Sequence, residues 1–415
     1  MSARDLDLVL FGATGFVGRL VAAHVAESAP SGLRIGLAGR SPERLEHVRA
    51  QLPPVAAAWP LVVADSDDDA SLRALAARTA VVASTVGPYL RYGAGLVDAC
   101  ADAGTHYADL TGEVLFVRDI VERSHDRAQA SGARIVVSCG FDSVPSDLAV
   151  HLLHERAAAD GAGALTDTTL RVRRLSGGIS GGTIDSLRAQ LERVREEPAL
   201  AAVLDDPAAL AVGVDGAGAT APARIAPGQR DVSRPFLDVE TGEWAAPFVM
   251  AGYNTRLVRR STALRGGAYG ERFRYREVVA TGPGVRGRLA AAAVAAGTRA
   301  LTVAMALPSV RRALDAVLPS PGEGPSEERR AAGSFEVETT TRTERGARYA
   351  ALVAADGDPG YAATSIMLGE AALALAVDDE RCSAEGGVLT PAFAMGDVLV
   401  ERLRAAGLRL EVRRI

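Results

Sequence analysis

The chain has 415 residues, 48% of them hydrophobic, and a formal net charge of -5. It is long enough for two or three cores and lacks the basic excess of a general nucleic-acid binder. Every basic residue other than histidine is arginine, which excludes a Schiff-base lysine, a lysine general acid and a lysine-containing phosphate loop.

The elements follow in chain order. Arg4, Asp5 and Asp7 lead straight into an apolar strand, unlike an export signal, so a cytoplasmic location is expected, with peripheral membrane contact left open. Strands are expected at Leu6 to Phe11, Leu33 to Ala38, Leu61 to Ala64, Ala80 to Ser84, Thr105 to Leu110 and Arg134 to Ser138. Helical stretches alternate with them, among them Phe16 to Glu27, Pro42 to Leu52, Ala94 to Ala103 and Val114 to Ala130. Six strands in this rhythm predict a doubly wound parallel sheet, the Rossmann form of the α/β class, over residues 1–150. Arginine-rich alternation at Leu170 to Leu175, Arg272 to Val279 and Phe335 to Thr341 predicts a second α/β domain over 151–360 with a mixed or antiparallel sheet. Asp205 to Asp231 and Leu318 to Gly333 read as loops, mobile lids or plain surface connections. Helices at Ala363 to Ala376 and Pro391 to Ala406 form a last segment, 361–415. Cys100, Cys139 and Cys382 are odd in number and lack metal-ligand spacing, as free thiols do.

Gly12-Ala13-Thr14-Gly15-Phe16-Val17-Gly18 lies where the first strand turns into the first helix. Glycines there let the backbone turn tightly and approach a pyrophosphate, and the helix N-terminus adds unpaired N–H donors. Just past the second strand stand Arg40-Ser41, with no acid for a ribose 2′-hydroxyl, so these two are expected to hold the 2′-phosphate of NADP, as NADPH. Ligands bind beyond the carboxyl ends of such strands. Asp65, then Ser84, Thr85, Val86, Gly87, Pro88 and Tyr89, then Cys139, Gly140, Phe141 and Asp142 are nominated on that ground. A helix cap at Asp65, a plain turn at Gly87-Pro88 and, at Asp142, a side chain that fixes the turn into the next helix remain as alternatives.

All six histidines precede residue 155, so a proton donor from the second domain must be of another type. Tyr89, Tyr107 and Asp109 are the catalytic candidates, Tyr107 and Asp109 sharing one face of a strand; a packing role is the alternative for each tyrosine. His151 and His154 lie three apart on a helix without a third ligand, and a partly exposed helix face is expected there rather than a metal site. The glycine-rich run ending in Ser180-Gly181-Gly182-Thr183 opens a helix and suits a substrate carbonyl or carboxylate, or is a flexible connection.

The runs GATGFVG, AGRSPERL, STVGPYLRYG, HYADLTGE, CGFDSVPSDL, PGEGPSEERR, GDPGYAATSIMLGE and GGVLTPAFAMGD, in this order along nearly the whole chain, resemble the saccharopine dehydrogenase-like oxidoreductases. They look most like the actinobacterial trans-acting enoyl reductases. The resemblance implies an NADPH-type Rossmann domain, a second α/β domain carrying substrate, C-terminal helices folded back on the first domain, and reduction of an enoyl bond in a lipid or polyketide. A saccharopine-type amino-acid dehydrogenase and a non-catalytic NADPH-binding, lipid-associated protein stay open as alternatives.

From Arg256 to Arg288 nine arginines stand against Glu271 and Glu277, followed by the apolar stretch Leu289 to Pro308. An arginine at its centre makes a membrane span costly, by roughly 2.5–3.5 kcal/mol. The stretch reads as a solvated strand face and a packed helix, or as a docking site for an acidic carrier protein or anionic membrane with an acyl-chain wall beside it. A homodimer is also left open.

Overall fold

The computed structural model describes residues 4–177, 180–213, 225–306 and 324–415. Apolar runs at Leu6–Phe11 (β1), Ile35–Gly39 (β2), Leu61–Val63 (β3), Thr79–Ser84 (β4), His106–Ala108 (β5) and Arg134–Val136 (β6) form one sheet, and Gly387–Leu389 (β13) joins them from far along the chain. The order is β13-β6-β5-β4-β1-β2-β3 and every pairing is parallel. Strand order reverses between β1 and β4, which opens a crevice beyond their carboxyl ends.

The second sheet is built from Leu165–Ser176 (β7), Phe236–Asp238 (β8), Glu243–Pro247 (β9), Arg274–Gly282 (β10), Ser334–Thr343 (β11), Arg348–Asp356 (β12) and Arg409–Arg414 (β14). Its order is β14-β12-β11-β7-β10-β9-β8, with β7 and β10 parallel and the other pairs antiparallel. In β11 the period-two pattern is plain: Phe335, Val337, Thr339 and Thr341 are buried while Glu336, Glu338 and Thr340 are half-buried.

The two sheets share one core. Helix Val144–Ala159 begins with a proline in its first turn, is apolar on nearly every side and packs against β7, β11, β12 and β14. Helix Thr364–Val377 is equally apolar and packs against helix Phe16–Ser28 and β4. One cluster of buried side chains therefore runs from Leu10 and Ala83 through Val144 and Met367 to Val337 and Tyr349. Among the described residues, Pro359–Val377 is long and apolar enough to cross a membrane, but 72% of that window is buried inside the protein, where it serves as a core helix.

Three details differ from the sequence reading. β13 and β14 were not expected, and the last segment feeds both sheets rather than contributing helices alone. Asp205 to Asp231 is not a plain surface connection: Ala209, Leu210, Ala211 and Val212 are buried, because Arg118 bonds Ala209 O at 3.0 Å and Arg260 bonds Leu210 O at 2.6 Å and Val212 O at 3.2 Å. Within the other expected loop, Glu327–Ala331 is a short helix capped by Ser326, whose hydroxyl accepts from Arg329 N. Residues 214–224 and 318–323 of these two segments lie outside the described residues.

Candidate active site

The glycines of the first turn are required by contact. Gly12 has φ +88°, and a Cβ there would lie 2.7 Å from Thr85 Oγ1 and 2.8 Å from Val86 Cγ2. A Cβ on Gly18 would lie 2.2 Å from Gly12 O, which is how closely helix and strand pack. Gly15 caps helix Phe16–Ser28 with no side-chain bond, and the first turn holds no acid. Its N–H groups and the positive end of the helix dipole therefore stay available to an anion. Gly15, Phe16, Val17 and Gly18 line a cavity of about 830 Å3. An uncapped helix start behind a cradle that excludes Cβ atoms fits a dinucleotide pyrophosphate. Thr14 is half-buried beside it and does not line the cavity.

Arg40 and Ser41 follow β2, and Asp65 lies just beyond β3; none of the three lines the cavity. Arg40 is exposed, and its guanidinium has no hydrogen bond or ion pair among the described residues. The Ser41 hydroxyl caps the next helix, accepting from Arg44 N at 3.3 Å and donating to Glu43 at 2.9 Å. Asp65 Oδ1 accepts from Asp67 N at 3.1 Å, a local turn bond.

After β4, Thr85, Gly87 and Tyr89 reach the cavity, whereas Ser84, Val86 and Pro88 do not. Thr85 Oγ1 donates to Gly12 O at 3.2 Å and so ties this loop to the glycine turn. The Tyr89 hydroxyl donates to Ser84 O at 3.0 Å and accepts from Leu110 N at 3.1 Å. Both of its hydrogen-bonding roles are spent on backbone, which makes it a strut of the loop rather than a free donor. Tyr107 and Asp109 lie beneath the site: both are fully buried and neither lines the cavity. The Tyr107 hydroxyl donates to Asp109 Oδ2 at 3.0 Å, while Asp109 Oδ1 accepts from Ser138 N at 2.8 Å and Thr111 N at 3.0 Å. Burial pushes the Asp109 carboxyl up to about 7, with the Ser138, Thr111 and Tyr107 bonds opposing the shift.

Asp109 thereby positions a residue that the sequence reading passed over. Ser138 has φ +65°, the one positive value found for a non-glycine among the described residues. Its hydroxyl hydrogen-bonds the hydroxyl of Tyr253 from helix Ala251–Leu264, and both residues line the cavity. Burial holds the Tyr253 phenol well above its usual range, so it stays protonated. The signal for Ser138 was its place at the end of the sixth expected strand; Tyr253 stands just ahead of the arginine-rich run, and nothing in the local sequence marks it.

Farther along, Cys139 is buried away from the cavity, and Gly140 and Asp142 line it. A Cβ on Gly140 would lie 2.8 Å from Leu110 Cδ2, so the β5 and β6 ends touch here. Asp142 is half-buried, and its Oδ2 accepts from Thr183 Oγ1 at 3.4 Å. Lack of solvent around it pushes its carboxyl up to about 6, with the Thr183 bond opposing. Ser180, Gly181, Gly182 and Thr183 line the opposite wall, and Ser180 Oγ caps helix Gly181–Glu196 by accepting from Thr183 N at 3.1 Å. Gly178 and Ile179 of that run lie outside the described residues. Glu113, fully buried, joins the walls: it accepts from Tyr89 N at 2.9 Å, Leu90 N at 2.7 Å and Ser186 Oγ at 2.6 Å.

The basic stretch is not one surface. Arg256, Arg259 and Arg260 are buried, holding Asp231 and Leu204 O, Gln229 and Pro207 O, and Leu210 O and Val388 O respectively. Arg272, Arg274, Arg286 and Arg288 are exposed. The apolar stretch belongs to helix Gly284–Ala306, which packs on β9 and β10, leaves Leu289 66% exposed, and lends no described side chain to the cavity. It is therefore not the acyl-chain wall; residues 307 and 308 lie outside the described residues. His151 is likewise not on an exposed face, being buried against Asp397 at 2.9 Å.

An open parallel sheet with an uncapped glycine turn at its switch point, facing a cleft closed by a second sheet, defines a dinucleotide-dependent oxidoreductase. Residues 8–136 match the saccharopine dehydrogenase NADP binding domain, and the cofactor is NADP(H). The chain is 45% identical to a trans-acting enoyl reductase of Mycobacterium tuberculosis, over 99% of each chain. It is 44% identical to one of Mycobacterium ulcerans over the same shares. A further Mycobacterium tuberculosis protein, provisionally named for the same activity, is 48% identical over 99% of this chain and 98% of its own. The fold matches apo saccharopine dehydrogenase (L-Glu forming) of Saccharomyces cerevisiae with a TM-score of 0.53 at 12% identity, covering 98% of this chain and 99% of that one. The chain belongs to the trans-acting enoyl reductase family of saccharopine dehydrogenase-like oxidoreductases.

Proposed function

We propose that the protein uses NADPH to reduce the carbon–carbon double bond of an enoyl group on a lipid or polyketide chain, within the cleft between the two sheets. The observation that carries this reading is the cavity wall. Leu110, Leu175, Ile184, Leu187, Phe248 and Met250 line it, and no arginine or histidine does so among the described residues. An amino-acid dehydrogenase of the saccharopine type has carboxylates to hold and needs cations where this wall has hydrocarbon. An acyl chain needs only apolar area, at about 25 cal/mol per Å2 removed from water.

The turn from Gly12 to Gly18 would hold NADPH, with Arg40 and Ser41 toward its 2′-phosphate, and the bound cofactor would supply the hydride. The chain supplies the rest. The hydroxyls of Ser138 and Tyr253 hold the substrate carbonyl oxygen, where negative charge accumulates as the double bond is reduced. Leu175 and Val249, which line the cavity and remain 48% and 47% exposed, make its mouth apolar for the chain to enter. For delivery, the exposed Arg272, Arg274, Arg286 and Arg288 offer an acidic carrier protein a face whose docking weakens as salt shortens the Debye length from about 10 Å at 0.1 M to about 3 Å at 1 M.

The test is NADPH oxidation with 2-enoyl thioesters of rising chain length, beside a 2-oxo acid paired with an amino acid. Turnover of the thioesters, improving with chain length, supports the reading. Turnover of the amino-acid pair alone transfers the protein to the other class, and turnover of neither leaves it a cofactor-binding protein.

A further inference from the structure

We propose that the Asp142 side chain is the acid that delivers a proton to the α carbon of the enoyl substrate, an assignment that rests on the reading of the cleft as an enoyl reductase site. Reducing the double bond places an electron pair from NADPH on the β carbon and leaves the former π pair shared between the α carbon and the carbonyl oxygen. A proton must then reach the α carbon. Written in full, the α-carbon pair takes the Asp142 proton, the O–H bond breaks, Asp142 becomes a carboxylate, and a proton from water at the cavity mouth restores it. The sum is one enoyl group, one NADPH and one proton giving one saturated acyl group and NADP+.

The cavity offers few other acids. The Tyr89 hydroxyl is bonded on both sides to backbone. Tyr253 is paired with Ser138 toward the carbonyl oxygen, and burial holds its phenol well above its usual range. Tyr361 accepts from Gly181 N at 3.4 Å, and burial raises its phenol above its ordinary range, so it gives up its proton far less readily than a carboxyl does. Asp185, the other carboxylate in the wall, is ion-paired with Arg188 at 2.8 Å. No histidine lines the cavity among the described residues. Asp142 differs from all of these. It stands where β6 gives way to helix Val144–Ala159, beside Gly140 and Ser143 at the strand ends that face the crevice, and the bond from Thr183 is long at 3.4 Å.

Its electrostatic surroundings are quiet. Of the charged groups on the elements packed around it, Asp185 is held by Arg188, Glu113 by Ser186 and two backbone amides, and Asp147 by Ser261 and Ala392 N. Asp358 accepts from Tyr361 N, and Asp109 accepts from Ser138 N. Burial is the leading cause that lifts the Asp142 carboxyl to about 6, near where a general acid works best, and an acyl chain filling the cavity removes more water from it.

The experiment compares Asp142→Asn, Asp142→Glu and Thr183→Val with the parent enzyme. Circular dichroism reports folding, fluorescence titration reports NADPH affinity, and kcat/KM for a 2-enoyl thioester is followed from pH 5 to 9. Asp142→Asn should lose about 10²–10⁴-fold in kcat while binding NADPH within about twofold of the parent. Asp142→Glu should recover part of the rate. In the parent, kcat/KM should fall as pH rises through the acid's pKa, and that limb should vanish in Asp142→Asn. Thr183→Val removes the bond that favours the carboxylate and should move the limb to higher pH; it also decides the matter if Asp142→Asn does not fold. Asp142→Asn turnover within about threefold of the parent, or a limb unmoved in Thr183→Val, overturns the assignment. A parent enzyme that binds NADPH and reduces no enoyl thioester overturns the functional reading itself.

Discussion

The Ser186 hydroxyl donates to Glu113 Oε1 at 2.6 Å, so a helix of the substrate wall is fastened to the carboxylate that caps the cofactor loop through Tyr89 N and Leu90 N. Three donors converge on one buried side chain. Glu113→Ala strands them, and at about 1–3 kcal/mol for a buried unsatisfied group the variant should lose about 2–4 kcal/mol in urea unfolding. Glu113→Gln keeps an acceptor and should lose less. Equal stability of Glu113→Ala and the parent would mean that the clamp carries no load.

Asp109 gives stability a pH dependence of definite sign. Burial raises its carboxyl from 3.8 to about 7, so the folded protein holds this proton more tightly than the unfolded chain does. Its contribution is fully present below pH 3.8 and is lost as pH rises to about 7, at up to about 1.4 kcal/mol per pH unit. Asp109→Asn keeps the acceptor for Ser138 N and Thr111 N and presents an N–H to Tyr107. Relative to that variant, the parent should lose stability between pH 5 and about 7 and no more above it. A difference that stays constant from pH 5 to 9 would contradict the assignment.

Arg40 stands exposed just past β2 with its guanidinium unengaged among the described residues, as a 2′-phosphate site requires. Arg40→Ala removes one charge-assisted contact of about 1.5–3 kcal/mol. NADPH affinity should fall about ten- to a hundredfold while NADH affinity holds, as measured by titration. Equal weakening of both would assign Arg40 to the loop's structure.

Buried and exposed arginines of the same stretch should separate by stability. Arg260→Leu leaves Leu210 O, Val212 O and Val388 O without their donors and should destabilise by about 3–5 kcal/mol. Arg272→Ala and Arg274→Ala, both at exposed positions, should stay within about 0.5 kcal/mol. Similar losses at all three would show that the stretch behaves as one surface.

The first sheet was legible because its strands are continuous apolar runs between amphipathic helices, and Ala94–Ala103 was placed to the residue. β13 was not legible, for three residues carry no period, and β14 mixes charged with apolar residues as an exposed tail does. The glycine turn announced its contacts through spacing alone. Tyr253 and the buried arginines of helix Ala251–Leu264 did not, since local sequence gives no sign that Leu210 O and Val388 O wait for a guanidinium. Tyr107 and Asp109 were recognised as a pair, but which face of β5 meets the cleft is decided by the neighbouring helices.

If NADPH reduces an enoyl carbon–carbon bond in this cleft, its hydride ends on the β carbon of the acyl product. A single turnover of enzyme, NADPH deuterated at C4 on the transferred face, and a long-chain 2-enoyl thioester, with the product read by mass spectrometry, tests it directly. The saturated product should carry one deuterium, on the β carbon. Label on the carbonyl carbon, or cofactor oxidised with no label in the acyl product, would contradict it.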